Sequence, residues 1–226
     1  MAKLIIPAED HARISAAVAE AELKSDGEIA TMVARSSDDY ADWTLFLAAL
    51  VPMLKLASIM LMPELFEQWV VWALGNWHPE LTRSEFLFAV LLVQALSFAV
   101  SWALLRWTPL GIWLTPKTIL IRRVRREAVR AFRIGIESRT RAATGVLIYL
   151  SIAEHRAELV ADAAINSKVS DADWGEAMAK LIGEVRAGRP GDGIVGAVEM
   201  VGDLLAKHFP RSHDDQNEMP DRLIEL

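Results

Sequence analysis

The stretch TGVLIYLSIAEHRAELVAD, from Thr144 to Asp162, decides the fold of the polar part of this chain. Its first half, Gly145 to Ile152, is a near-continuous apolar run, which is typical of a strand buried on both faces. Ala153, Glu154 and His155 predict a tight turn, and Arg156 to Ala161 predicts a second strand. We therefore expect a hairpin, and we interpret the charged residues at its tip as a solvated turn.

A further strand is predicted upstream at Glu28 to Arg35 (EIATMVAR), which is rich in β-branched residues. It lies between Gly27 and the turn cluster from Ser36 to Asp39. A helix from about His11 to Lys24 precedes it, with Asp10 as the predicted cap and Gly27 as the stop. This strand and the strand that begins at Gly145 are expected to pair through a helical crossover.

Three more helices complete the polar part. Ile121 to Glu137 reads as a basic amphipathic helix, and helices from about Ala172 to Arg186 and Gly193 to His208 are separated by the breaker run that starts at Gly188. The predicted fold class is α/β, with a small mixed β-sheet and helices on both faces. This α/β/α sandwich is interrupted by a two-helix transmembrane hairpin.

The interruption consists of two apolar segments, Trp43 to Met62 and Phe86 to Leu105. Each has about 20 residues, which is enough for a helix to cross a hydrocarbon core of roughly 30 Å. The Trp-rich stretches Gln68 to Trp77 and Trp107 to Lys117 are predicted to lie in the interface. The sequence thus predicts one discontinuous domain at residues 8–42 and 117–224, with an inserted hairpin at residues 43–116.

Charge predicts the orientation of this hairpin. The loop from Pro63 to Glu85 carries four glutamates and one arginine, whereas Arg106 to Arg141 holds ten basic residues and two glutamates. Positive charge is retained on the cytoplasmic side. The N-terminal sequence also lacks the pattern of a signal peptide. We expect an integral protein of the plasma (inner) membrane, with both termini and the α/β domain cytoplasmic.

Six arginines beside the second span form a basic belt, although the net charge of the whole chain is −6. Their position favours anionic lipid headgroups as partners. Nucleic acid is the alternative that the same charges allow, and we predict no nucleic-acid partner because the neighbouring span already accounts for the belt. The belt consists of Arg122, Arg123, Arg125, Arg126, Arg130 and Arg133. There is no cysteine, which excludes disulfides, thiol nucleophiles and thiolate metal sites.

Polar residues interrupt both spans. Lys55 is a candidate functional site, because a lysine in hydrocarbon costs several kcal/mol unless it has a partner. Alternatively, it reaches the headgroups or faces the other helix. Gln94, Ser97 and Ser101 recur at helical spacing, which favours packing within the hairpin or in a homo-oligomer.

Several segments together resemble the TPM domain. They are GEIATMVAR with the following DDYAD, the hairpin from Thr144 to Asp162, the helix around Trp174, and the ending LLAKHFP with NEMPD. The resemblance covers residues 8–42 and 117–224 and is most specific in the hairpin. TPM domains occur in thylakoid-lumen photosystem-repair proteins, in an animal receptor modulator and in many bacterial membrane proteins. Familiar members are exported, and this sequence departs from them because its spans lie inside the domain.

The resemblance implies two kinds of function: some TPM proteins have been called acid phosphatases or bind calcium through carboxylates, and others resemble assembly or repair factors. A phosphatase needs a nucleophile or a metal-activated water, together with cations for the phosphoryl oxygens. The nearest residues are Asp38, Asp39, Glu154, His155, Arg156 and Asp162. Among them, Asp38, Asp39 and Arg156 are the catalytic candidates.

Asp38, Asp39 and Asp42 could supply part of a site for calcium or another divalent cation. Asp38 and Asp39 follow the carboxyl end of the first strand, where open α/β sheets place their ligands. Alternatively, these acids cap the strand end and the next helix. The sequence favours an interaction, assembly or quality-control factor for membrane proteins, and the alternative is a divalent-metal-dependent phosphatase-like hydrolase.

Overall fold

The computed structural model describes residues 6–75, 81–135, 144–212 and 220–226. The chain divides into two compact units. The α/β unit comprises Met1–Asp38 and Pro116–Leu226, and the apolar unit comprises Asp39–Thr115. Residues 39–42, which the sequence analysis assigned to the α/β part, lie in the apolar unit.

The described residues form four strands and a series of helices. The strands are β1 (Glu28–Ala34), β2 (Gly145–Ser151), β3 (Arg156–Ala161) and β4 (Ile224–Glu225). The helices are α1 (Ala8–Glu22), α2 (Ala41–Leu61), α3 (Pro63–Ala73), α4 (Arg83–Trp107), α5 (Leu110–Trp113), α6 (Lys117–Gly135), α7 (Ala163–Asn166), α8 (Asp171–Arg186) and α9 (Pro190–His208).

The sheet has the order β3-β2-β1-β4. β1 and β2 run parallel, from the pair Glu28 and Gly145 to the pair Ala34 and Ser151. β2 and β3 form the antiparallel hairpin, and β4 adds two residues parallel to β1. The predicted parallel pairing and hairpin are therefore confirmed, whereas β4 and α7 were not predicted.

Helices cover both faces of this sheet, as predicted. On one face, α1, α8 and α9 bury Ile14, Leu181 and Val198 against alternate residues of β1 and β2. On the other face, α6 buries Val124, Ala128 and Phe132. Because β1 and β2 are buried along their whole length, their apolar runs do not show the alternation of a half-exposed strand.

Three helix starts differ from the prediction, and α6 begins at Lys117 and not at Ile121. α1 begins at Ala8, directly after Pro7, so that Asp10 lies in its first turn and is not its cap. α9 begins at Pro190, inside the predicted breaker run. Proline is well suited to the first position of a helix, because the N–H that it lacks would have no partner there.

In the apolar unit, α2 has 21 residues and α4 has 25, and both are long and apolar enough to cross a membrane. Most of their large apolar side chains are exposed, and none of the residues in the most apolar window of α4 is buried. Thr82 caps α4: its hydroxyl accepts a hydrogen bond from the Glu85 amide, and the Glu85 carboxylate accepts one from the Thr82 amide, which completes a capping box. Helix α3 overlaps the stretch Gln68 to Trp77 as far as Ala73, and α5 lies within Trp107 to Lys117; the interfacial position of these stretches stays a prediction.

Candidate functional site

The carboxyl ends of β1 and β2 carry a connected group of polar residues. Glu154, in the turn between β2 and β3, accepts hydrogen bonds from the Ser36 hydroxyl at 2.9 Å and the Ser37 amide at 3.0 Å. Its second oxygen accepts one from the Ser151 hydroxyl. Glu154 is only 7% exposed, so its prediction as part of a solvated turn is wrong. This carboxylate ties the loop after β1 to the hairpin.

Neighbouring contacts extend this group. The hydroxyls of Ser37 and Tyr149 lie 3.1 Å apart, and burial raises the pKa of Tyr149. His155 follows Glu154 with a φ of 48°, in the left-handed region. A non-glycine residue is uncommon there, and tight turns are where it is usually found. The turn therefore sets the shape of the polar group. The group includes Tyr149 and Ser151, which the sequence did not single out, and Ser36, which was predicted only as part of a turn cluster.

Asp38 lies next to this group and is engaged by two arginines of α6. Its Oδ2 atom is 3.1 Å from Nη1 of Arg123 and 2.8 Å from Nη2 of Arg126. The side chains of Asp38 and Arg123 are mostly buried, at 19% and 14% exposure. Two guanidinium groups therefore contact the Oδ2 atom of this carboxylate, and a divalent-cation site at Asp38, Asp39 and Asp42 stays a prediction.

The other predicted site residues lie elsewhere. Asp39 accepts a hydrogen bond from the Ala41 amide at 3.1 Å, at the start of α2, and Asp42 lies in the first turn of that helix. Arg156 begins β3 opposite Ser151. Within the part of the chain that the structure describes, no three or more histidine, aspartate or glutamate side chains could hold a metal ion together.

Asp162 also has a structural contact: it accepts a hydrogen bond from the Gly145 amide at 2.8 Å. This contact closes the open end of the hairpin, far along β2 from Glu154. The structure thus places Asp162 and the acids after β1 at opposite ends of the sheet. The catalytic role of Asp38, Asp39 and Arg156 stays a prediction.

The basic belt is divided by the packing of α6. Arg123 faces Asp38, whereas the other five arginines are exposed: Arg122, Arg125, Arg126, Arg130 and Arg133. Arg125 contacts Glu158 of β3 at 3.3 Å. Burial raises the pKa of Glu158, and the charge of Arg125 opposes that rise. Most of the belt therefore forms an exposed basic surface, whereas Arg123 is mostly buried and contacts Asp38.

A second acidic group lies at the opposite end of β1. The carboxylate of Glu22 accepts a hydrogen bond from the Ile29 amide at 2.9 Å. Desolvation by burial, with smaller contributions from Glu28 and Asp221, raises the pKa of Glu22 to about 8. Sequence reasoning missed this residue, because an acid at the end of an amphipathic helix is usually exposed.

Comparison with known proteins identifies the domain. Residues 118–204 match the family profile of the TPM domain. The chain carries a TPM domain. The resemblance stated from the sequence is thereby confirmed over these residues, and the α/β unit that contains them is labelled the TPM domain below. No curated protein matches this sequence significantly.

One solved structure shares the fold of this chain. It is the NMR structure of the BA42 protein from the psychrophilic bacterium Bizionia argentinensis, with a TM-score of 0.57 and 18% identity. The alignment covers 100% of this chain and 99% of BA42. At this identity the likeness concerns the fold alone.

Proposed function

We propose that this protein is an interaction or assembly factor for membrane proteins, anchored in the plasma (inner) membrane by α2 and α4, with the TPM domain and both termini in the cytoplasm. The observation that carries the proposal is the division of α6 into two sides. Val124, Ala128 and Phe132 pack under the sheet, and the opposite side presents exposed arginines. Only Pro116 separates this helix from the apolar unit in the sequence.

An exposed arginine surface that follows a span closely in the sequence has a direct physical use. Each basic residue close to an anionic bilayer contributes about 1 kcal/mol of attraction. The arginines line a groove on α6 together with Val129 and Ile134, so that apolar contact accompanies the charge. This surface would hold the TPM domain against anionic headgroups, close to other membrane proteins.

The contacts at the strand ends support an interaction role more than a hydrolytic one. Asp38 holds Arg123 and Arg126, and Glu154 holds the loop after β1. These polar groups stabilise one another and fix the shape of this edge. A rigid edge with a basic helix beside it is suited to binding another protein.

The lipid part of the proposal is tested by thermal unfolding of the full chain in neutral detergent micelles titrated with phosphatidylglycerol. We expect phosphatidylglycerol to raise the unfolding temperature of the parent, and the triple variant Arg122→Glu, Arg130→Glu, Arg133→Glu to lose this rise. The matched control is Lys180→Glu with Arg186→Glu, two exposed basic residues of α8. An equal response of all three proteins would contradict the proposal.

The topology is tested separately with reporter fusions. A reporter after Leu226 should report cytoplasm, and a tag near His78, which lies outside the described residues, should be accessible from outside. The reverse pattern would contradict the cytoplasmic placement of the TPM domain. Co-purification from native membranes then identifies partners. We expect integral membrane proteins to co-purify with the parent and with the control variant, and to be lost with the triple variant.

The phosphatase alternative is tested on the same purified protein. Generic phosphate esters are offered with and without divalent cations, to the parent and to the double variant Asp38→Ala, Asp39→Ala. We expect no turnover that depends on these two residues. Metal-dependent turnover that the double substitution abolishes would overturn an interaction-only function.

A further inference from the structure

Lys55 contacts the second long helix of the apolar unit. Its Nζ donates a hydrogen bond to the Ser97 hydroxyl at 2.7 Å. That hydroxyl donates in turn to the Val93 carbonyl at 2.6 Å. The lysine therefore faces α4, one of the two outcomes that the sequence left open, and its contact there is a neutral side chain.

The depth of this contact matters. Ser97 lies two positions from residue 95, the middle of α4, which corresponds to about 3 Å along the helix axis. Side chains of a helix lean towards its N-terminus. The stem of Lys55 is thus directed away from Leu61, the nearer end of α2. Both observations place the ammonium group deep in the span, away from the headgroup level.

The turn that carries Lys55 is held against α4. Pro52 lacks the N–H of a regular helix residue. When the side-chain amide of Gln94 is oriented so that its nitrogen faces an acceptor and its oxygen faces a donor, the nitrogen donates a hydrogen bond to the Pro52 carbonyl at 2.9 Å. The oxygen then accepts one from the Leu56 backbone amide at 3.2 Å. These two hydrogen bonds join the backbone on either side of Lys55 to α4.

The spans themselves supply no anion for this charge. Lys55 is the only ionisable residue between Asp42 and Glu64, and residues 86–105 contain none. A charged side chain in hydrocarbon is stabilised by an opposite charge at the same depth. A serine hydroxyl accepts a hydrogen bond from the ammonium group but does not neutralise it.

The surface around Lys55 can receive another helix. Lys55 is exposed and lines an apolar groove of about 330 Å³ with Ile59, Phe66 and Val93. A second groove of about 570 Å³, lined among others by Trp69 and Leu92, lies between α3 and α4. Both walls are almost entirely apolar, which suits the aliphatic side chains of a membrane-spanning helix.

We propose that this surface binds a partner transmembrane helix that carries one carboxylate in its apolar segment, and that Lys55 binds that carboxylate. The inference rests on the proposed function, since it requires α2 and α4 to lie in the bilayer. Charge complementarity at mid-depth selects the occupant: a lipid phosphate lies at the headgroup level, whereas an aspartate in a partner helix lies beside Lys55. The proposal also gives the assembly function a partner class.

The test uses the full chain in phosphatidylcholine vesicles and synthetic apolar helices with a central Asp, Asn or Leu. Energy transfer from the tryptophans of the protein to a dansyl group on the peptide reports binding. We expect the Asp peptide to bind about tenfold more tightly than the Leu peptide, the range of a polar contact between membrane helices. Lys55→Met should remove this preference, and Lys117→Met, the same change outside the spans, should retain it.

A charge exchange makes the test specific. The variant Lys55→Asp should prefer a peptide with a central Lys over one with a central Asp. Equal binding of the Asp and Leu peptides to the parent would overturn the inference, as would a preference that survives in Lys55→Met. Loss of the preference for the Asp peptide when phosphatidylglycerol is added would also overturn the inference, because Lys55 would then bind lipid headgroups.

Membrane insertion is measured first, by vesicle flotation and protease protection. If the parent does not insert, the proposed function and this inference both fail. If the parent and Lys55→Met insert equally and the carboxylate preference is absent, the inference alone fails. Binding of a second copy in place of the peptide, seen as protein self-association that Lys55→Met abolishes, would likewise overturn it.

Discussion

The buried carboxyl group of Glu22 should make the stability of the TPM domain depend on pH in a way that one substitution removes. Glu22 is 8% exposed, and its pKa rises from 4.5 to about 8 on folding, chiefly because burial disfavours the charged form. A carboxyl group with a raised pKa in the folded state binds a proton more tightly there than in the unfolded chain. Deprotonation therefore favours unfolding.

The sign and the size follow from this shift. Below pH 4.5 the Glu22 carboxyl group is protonated in the folded and the unfolded state, so it has no cost to the free energy of unfolding. Between pH 4.5 and 8 the cost grows by about 1.4 kcal/mol per pH unit, and above pH 8 it is constant. At pH 7 it amounts to about 3 kcal/mol. Glu22→Gln should therefore raise the free energy of unfolding by about 3 kcal/mol at pH 7, since the amide oxygen can still accept from the Ile29 amide.

The assay is guanidinium unfolding of the full chain in detergent, followed by far-ultraviolet circular dichroism from pH 4 to 9. The quantity compared is the difference in the free energy of unfolding between Glu22→Gln and the parent. The titration of the other groups cancels in this difference. Glu20→Gln is the matched control, because Glu20 is exposed on the same helix beside Lys24 and should change stability by less than about 1 kcal/mol. A difference that is constant with pH, or that falls as pH rises, would refute the reasoning.

Three further predictions concern packing and polar contacts, each measured by the same unfolding assay. Glu154→Ala should cost about 3 kcal/mol, because the Ser37 amide and the Ser151 hydroxyl lose their acceptor, and a cost below that of Glu154→Gln would contradict this. Gly202→Ala should destabilise by about 1–3 kcal/mol, because the new Cβ would lie 2.6 Å from the Ala21 Cβ. Gly183→Ala, with nothing within 4 Å, should instead stabilise by about 0.5–1 kcal/mol, and equal effects at the two glycines would refute the contact. Asp38→Asn should cost about 1 kcal/mol by removing the carboxylate from Arg123 and Arg126, and an unchanged midpoint would show that this ion pair is not stabilising.

Apolar patterning was enough to predict most of the fold. The run from Gly145 to Ile152 has no polar side, and only a strand between two helical layers buries such a run completely. The two long apolar segments were equally visible in the sequence, because each has the length and composition of a helix that could cross a membrane. β4 could not be predicted, since a two-residue strand has no periodicity.

The contacts of the candidate site could not be predicted from the sequence. Glu154 reads as an exposed turn residue, and its burial depends on Ser36 and Ser37, which lie more than a hundred positions upstream. Arg123 resembles the rest of the basic belt, and only the packing of α6 turns it towards Asp38. Long-range polar pairs of this kind follow from tertiary structure and not from local spacing.

The parallel pairing of β1 with β2 imposes an order on biosynthesis. β1 leaves the ribosome first, but its partners at residues 145–151 and 224–225 are made only after the whole apolar unit. At typical synthesis rates of about 5–20 residues per second, β1 waits on the order of ten seconds without a neighbouring strand. If α2 and α4 enter the bilayer as proposed, they do so during that time. A chain in which these helices are misplaced at this stage would contain every residue of the sheet. Its β1 and β2 would nevertheless be unable to pair.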